Sequence, residues 1–176
     1  MKPIIKKEEV YEEQPRALQQ PSSNFATSGL LAATQNHKNG IPLAFSLHSD
    51  STTSSDWRLY RFESDYDEAV TIKLRDYRGW LFGKDRKLEP RDSAAGAGEY
   101  IEFIAIDNPS CSRQHAVLIF RNIGGSAVPY LLDLRSTNGT TVNGELLNGG
   151  TMVELRDRDV IRFGLSKRDW VLMREK

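Results

Sequence analysis

The chain has one cysteine, Cys111, in 176 residues, so it holds no internal disulfide and no cysteine-based zinc site. Its histidines are few, His37, His48 and His115, and they form no coherent set of metal ligands. No sign of charge dominates: 24 Lys and Arg face 24 Asp and Glu. That balance lacks the net positive field of a general nucleic-acid coat, although a local basic patch remains compatible with it. No run approaches the ~18 apolar residues of a membrane span. The N-terminus also lacks the apolar stretch of a signal peptide. The expectation is a soluble, unsecreted chain with no membrane contact, no metal and no cofactor. On that expectation the Asn138-Gly139-Thr140 match to a glycosylation acceptor is set aside.

The chain does have enough apolar content, 39%, to build a core for one ordinary domain plus a tail. Composition changes near Asp56. Before it the chain is rich in Gln, Ser, Asn and Pro, and apolar residues show no sustained period, so residues 1–55 read as an arm that is disordered when alone. Phe25, Leu30, Leu31, Ile41 and Leu43 concentrate what apolar character the arm has, within about residues 22–47. Two readings stand for that segment: it folds onto a partner, or it is an inert linker.

After Asp56 short apolar bursts follow one another. Trp57–Phe62 and Val70–Leu74 alternate as half-buried strands do. Gly79–Gly83, Tyr100–Ile106, His115–Phe120, Tyr130–Leu134, Met152–Leu155, Val160–Phe163 and Trp170–Met173 continue the series. Turn formers separate most of them, including Asn108-Pro109, Gly124-Gly125, Asn143-Gly144 and Gly149-Gly150. No window in this part keeps a 3.6-residue period over three turns. Many short strands with turns between them give an all-β fold, a sandwich or barrel, over residues 56–176. Residues 85–99 read as an inserted surface loop. Trp57, Trp80 and Trp170 suit core packing better than base stacking.

Three separated stretches carry the chemistry. Gly83-Lys84 ends a strand. Pro109–Ala116 is a polar loop that enters a strand. Asp133–Gly144 runs from a strand through a polar loop to an Asn-Gly turn. A phosphate monoester has three acceptor oxygens and nearly two negative charges, and it calls for fixed hydroxyls, backbone amides and a cation. Lys84, Ser112, Arg113 and Thr137 supply those donors, and Asn138 has both an amide donor and a carbonyl acceptor with which to hold a peptide backbone. The competing reading leaves Lys84, with Arg86, Lys87 and Arg91, as a solvated loop. Ser112, His115 and Asp133 are residue types found in hydrolase triads, but no Gly-x-Ser-x-Gly elbow accompanies them, and no catalytic residue is expected.

Gly83, Ser112-Arg113-Gln114-His115 and Ser136-Thr137-Asn138-Gly139-Thr140, followed by Val142-Asn143-Gly144, resemble the signature of forkhead-associated (FHA) domains. The resemblance covers roughly residues 57–176 and implies an FHA-like β-sandwich (SMAD/FHA type) that recognises phosphothreonine peptides. It implies phosphate contact at Ser112 and Thr137, a hold on the ligand backbone at Asn138, and a position for Arg113 near the phosphate or an acidic neighbour. It also implies an internal loop support at His115 and turn shaping at Gly83, with Gly139 supplying backbone geometry. The family usually has Gly-Arg where this chain has Gly83-Lys84.

The stretches Ile106–Val117 and Val153–Gly164, with Ser23-Asn24-Phe25 and Ser28-Gly29-Leu30 of the arm, narrow the likeness. They resemble the family of fungal pre-mRNA leakage proteins and animal Smad nuclear-interacting proteins. That resemblance implies a nuclear subunit of the retention and splicing (RES) complex. The arm would dock on the RNA-recognition-motif subunit, and a bud-site-selection-type subunit would complete the trimer. The alternative is a structural spliceosomal subunit anchored by its arm, with a weak or vestigial phosphate pocket.

Overall fold

The structure, a computed structural model, describes residues 37–38, 41–45, 56–62, 69–88 and 101–175. Phe25, Leu30 and Leu31 of the arm lie outside them, as do residues 89–99 of the expected surface loop. Among the described residues are thirteen strands, and the only helical element is a 3-10 turn at Arg86–Leu88.

Two sheets face each other. One has six strands in the order β10-β9-β12-β13-β3-β4, from β10 (Glu145–Leu146), β9 (Thr140–Val142), β12 (Val160–Phe163), β13 (Asp169–Arg174), β3 (Trp57–Phe62) and β4 (Val70–Lys73). The other has five in the order β11-β8-β7-β5-β6, from β11 (Met152–Glu154), β8 (Ser126–Asp133), β7 (Ala116–Ile123), β5 (Gly79–Gly83) and β6 (Ile101–Ala105). Every pairing is antiparallel except β5 with β6. The period-2 alternation explains the core. Leu59 on β3, Trp80 and Phe82 on β5, Leu118 and Phe120 on β7, and Trp170 and Leu172 on β13 point between the sheets and are buried. All three tryptophans belong to this core, where Trp80 meets Phe120 edge-on at 5.7 Å between ring centroids. Cys111 of the loop before β7 is also buried here, and its Sγ lies 3.4 Å from the Phe163 carbonyl oxygen.

The outer face of the five-stranded sheet is apolar as well, with Leu81, Ile101, Phe103, Val117 and Ile119 all buried. A sheet buried on both faces needs a second cover. Leu88 of the 3-10 turn supplies part of it, and Leu43 and Phe45 supply the rest. These two follow a small hairpin, β1 (His37–Lys38) with β2 (Ile41–Pro42), paired His37 to Pro42. Lys38 is buried too and donates from Nζ to the Ile101 carbonyl at 2.8 Å.

Leu43, placed on a partner-facing arm, instead packs inside this chain, because the sheet offers it an apolar face that would otherwise meet water. Ile41 lies in β2 of the same strap. Lys38, Leu43 and Phe45, which precede the boundary drawn at residue 56, pack on the same sandwich. The loop expected from residue 85 likewise begins with a buried Leu88.

Candidate functional site

One rim of the sandwich gathers the three stretches singled out in the sequence. Past the end of β5 the backbone keeps pairing: Lys84 N–H donates to the Ser112 carbonyl at 3.1 Å, Asp85 N–H to Arg113 O at 3.2 Å, and His115 N–H to Phe82 O at 2.7 Å. This draws the 109–115 loop tightly across Gly83. A Cβ at Gly83 would overlap the Arg113 carbonyl. Gly83 sits in a strand and not in a turn, and its missing side chain is what allows the loop to cross.

The loop itself is braced from within. Asn108 Oδ1 accepts from Ser110 N at 2.9 Å and from Ser110 Oγ at 2.6 Å, an Asx turn. His115 is fully buried and ties two loops together: its Nδ1 accepts from Ser112 N at 3.0 Å, and its Nε2 is 3.0 Å from the Gly139 carbonyl oxygen. Accepting at Nδ1 and donating at Nε2 defines a neutral imidazole with its proton on Nε2. Burial lowers the pKa of His115, opposed by the Gly139 carbonyl and by Asp133.

The 133–140 loop is built around Asp133, which is buried. Its Oδ1 accepts from Ser136 N at 2.8 Å, and its Oδ2 accepts from Ser136 Oγ at 2.7 Å and Thr140 Oγ1 at 2.6 Å. The Asp133-x-x-Ser136 spacing was the available signal for this brace. The Asn143-Gly144 turn has φ of 52° and 86°, the paired positive values of a tight hairpin, and joins β9 to β10.

Ser112 and Thr137 meet at the rim. Thr137 N–H donates to Ser112 Oγ at 3.1 Å, and the two hydroxyl oxygens are 3.5 Å apart. Asn138 Nδ2 donates to Ser110 O at 2.7 Å, and Lys84 Nζ donates to Pro109 O at 2.8 Å. Around them is a cleft of about 830 Å³, lined by Lys84, Ser112, Arg113, Arg135, Thr137 and Asn138. Ala44 of the strap borders it as well, and its N–H donates to Gln114 Oε1 at 2.7 Å. No local sequence pattern foretold that contact, since its partners are 70 residues apart. Asp85 brings the cleft one negative charge, with Oδ1 accepting from Lys87 N at 3.2 Å.

The arrangement offers hydroxyls, a side-chain amide and cations to one open space, the donor set of an oxyanion and peptide site. It does not make a nucleophile. Ser112 Oγ is bonded to Thr137 and not to His115, and the imidazole is used up by backbone groups on both nitrogens. Asp133 Oδ2 is 3.9 Å from Nε2, and its oxygens serve Ser136 and Thr140. The three residue types of a hydrolase triad are neighbours here without triad geometry.

Residues 102–164 match the FHA domain family. The chain carries an FHA domain, a β-sandwich interaction module.

Its similarities run to particular proteins. It is 32% identical over 174 residues to the FHA domain-containing protein DDL of Arabidopsis thaliana, covering 93% of this chain and 51% of that one. It is 30% identical to Smad nuclear-interacting protein 1 of mouse, covering 86% of this chain and 39% of that one. The chain thus spans about half or less of the length of these curated relatives. Among solved structures it resembles full-length yeast Pml1p, with a TM-score of 0.54 and 26% identity over 67% of this chain and 81% of that one.

Proposed function

We propose that this chain is a phosphothreonine-peptide-binding module that serves as a nuclear subunit of a RES-type splicing complex. The observation that carries the binding half is the meeting of Ser112 and Thr137, hydroxyls 3.5 Å apart, in a cleft shared with Lys84, Arg113 and Asn138. In this reading Ser112 and Thr137 hold the phosphate, Lys84 and Arg113 neutralise it, and Asn138 holds the ligand backbone. Gly83, His115 and Gly139 keep the loops in place. Each charge-assisted hydrogen bond contributes about 1.5–3 kcal/mol, so three or four, less the entropy of docking, give roughly micromolar binding.

The assembly half rests on similarity to mouse Smad nuclear-interacting protein 1 and to yeast Pml1, a splicing factor integrated into the RES complex. By that likeness the chain acts in splicing and in nuclear retention of unspliced pre-mRNA. Its arm, through Phe25, Leu30, Leu31 and Ile41, docks on the RNA-recognition-motif subunit, beside a bud-site-selection-type subunit. Leu43 is left out of that docking set because it packs against the outer face of the five-stranded sheet.

Isothermal titration of the full chain with matched threonine and phosphothreonine peptides tests the binding half. Micromolar affinity for the phosphorylated form alone supports it, and equal affinity for both forms contradicts it. One observation favours a second reading, a structural subunit with a weakened pocket: Lys84 Nζ is already occupied by the Pro109 carbonyl. In that case neither peptide binds, while a chain lacking residues 1–36 still fails to join the complex.

A further inference from the structure

The cleft holds a cation that the phosphothreonine reading does not use. Arg135 sits between Leu134 and Ser136 with φ of 56°, in the left-handed region. A glycine or asparagine adopts that backbone readily, but an arginine is strained there, and strain kept in a binding loop points to a use for the side chain. Its surroundings are shaped for it. A Cβ at Gly150 would stand 3.1 Å from Arg135 Nε and 3.6 Å from Nη2, and one at Gly149 would stand 3.5 Å from Arg135 Cγ. The Gly149-Gly150 turn is thus a floor without side chains along which the arginine extends. Gly150 N–H is itself fixed to Asp133 O at 2.8 Å. Arg135 is exposed and lines the same cleft as Ser112, Arg113 and Thr137. Among the described residues no acidic side chain pairs with it.

We infer that Arg135 determines specificity by reading a second anionic group on the peptide, beside the phosphothreonine. The inference rests on the phosphothreonine reading and deepens it. One phosphate is already matched by Ser112, Thr137, Lys84 and Arg113. Another guanidinium on the cleft wall raises the local positive potential further, and its planar fork suits a carboxylate or a second phosphate. Asp85 is the opposing charge in this lining, and it works against a ligand with a single weak anion.

The test titrates the full chain with fluorescent peptides. One peptide has a single phosphothreonine among neutral residues. Two companion series add a glutamate or a phosphoserine at each flanking position in turn. At one placement the wild type gains about fivefold in affinity, the scale of an exposed but oriented ion pair. Arg135→Gln and Arg135→Gly remove that gain and leave the neutral-flank peptide within about twofold of wild type. A larger gain with phosphoserine identifies a second phosphate as the ligand group, and an equal gain identifies a carboxylate reader. Because glycine accepts φ of 56°, Arg135→Gly melts no lower than wild type. The inference is overturned if no placement gives a gain, if the gain survives Arg135→Gln, or if that variant weakens the neutral-flank peptide equally. It is also overturned if Arg135→Gly lowers the melting temperature as it removes the gain, which would mark a structural residue. A wild type that binds the neutral-flank phosphopeptide no better than its unphosphorylated control overturns the phosphothreonine reading itself, a result distinct from all of these.

Discussion

The imidazole of His115 accepts the amide hydrogen of Ser112 at 3.0 Å, so a fully buried ring holds in place the residue whose hydroxyl faces the cleft. Removing the ring orphans that amide and the Gly139 carbonyl together. His115→Ala is expected to lower stability by about 1–3 kcal/mol, read from chemical denaturation, and to weaken phosphopeptide binding as a consequence of the loosened loops.

The same burial gives a pH signature. The folded pKa of His115 lies below its ordinary 6.5. Protons therefore bind the unfolded chain more readily than the folded one between those two values. His115 contributes its full stability above pH 6.5, and that contribution is lost progressively as the pH falls towards the folded pKa. Melting temperature should decline over this range in the wild type and decline less in His115→Gln, the difference between the two curves isolating this residue from His37 and His48.

Gly83 and Lys84 are adjacent but should respond oppositely. Gly83→Ala forces a side chain onto the Arg113 carbonyl, and backbone yields poorly, so a loss of about 1–3 kcal/mol in stability is expected by denaturation. Lys84→Arg should leave stability within about 0.5 kcal/mol, since the residue is exposed. A planar fork in place of a point charge held by Pro109 O should raise phosphopeptide affinity by about threefold or more in a peptide titration.

The strap makes its own prediction. With Leu43 and Phe45 covering Leu81, Ile101, Phe103, Val117 and Ile119, a chain that starts at residue 56 should melt below one that starts at residue 37. Leu43→Ala alone should cost about 2 kcal/mol in denaturant unfolding. Ala44 also touches the cleft through Gln114, so the shorter chain should bind phosphopeptide less tightly.

Much of the architecture was legible because sandwich strands advertise themselves locally. Alternation in Trp57–Phe62 and the turn glycines near positions 124, 144 and 150 depend only on neighbouring residues. The pairing of Ser112 with Thr137 was legible for another reason: the motif's residue types fit one ligand. What escaped depended on distant partners. Leu43 and Phe45 looked like an arm's sticky patch, since nothing within ten residues shows that β5 and β7 have two apolar faces. Cys111 does lie in a loop, but its burial was not legible because it comes from Phe163, 52 positions on. Arg135 had no sequence signal of its own, and it is the combination of a left-handed backbone with the bare turn at Gly149-Gly150 that sets it apart. Gly83 was expected to shape a turn, and the constraint on it is instead a crossing carbonyl, a distant contact again.

Every functional role given to this cleft depends on a phosphate seating between Ser112 and Thr137. Amide chemical-shift mapping of the full chain with a phosphothreonine peptide tests it most directly. The largest shifts should fall on Ser112, Arg113, Thr137 and Asn138, and the unphosphorylated peptide should leave these amides unmoved. Shifts centred on another face of the sandwich, or the same shifts from both peptides, would contradict it.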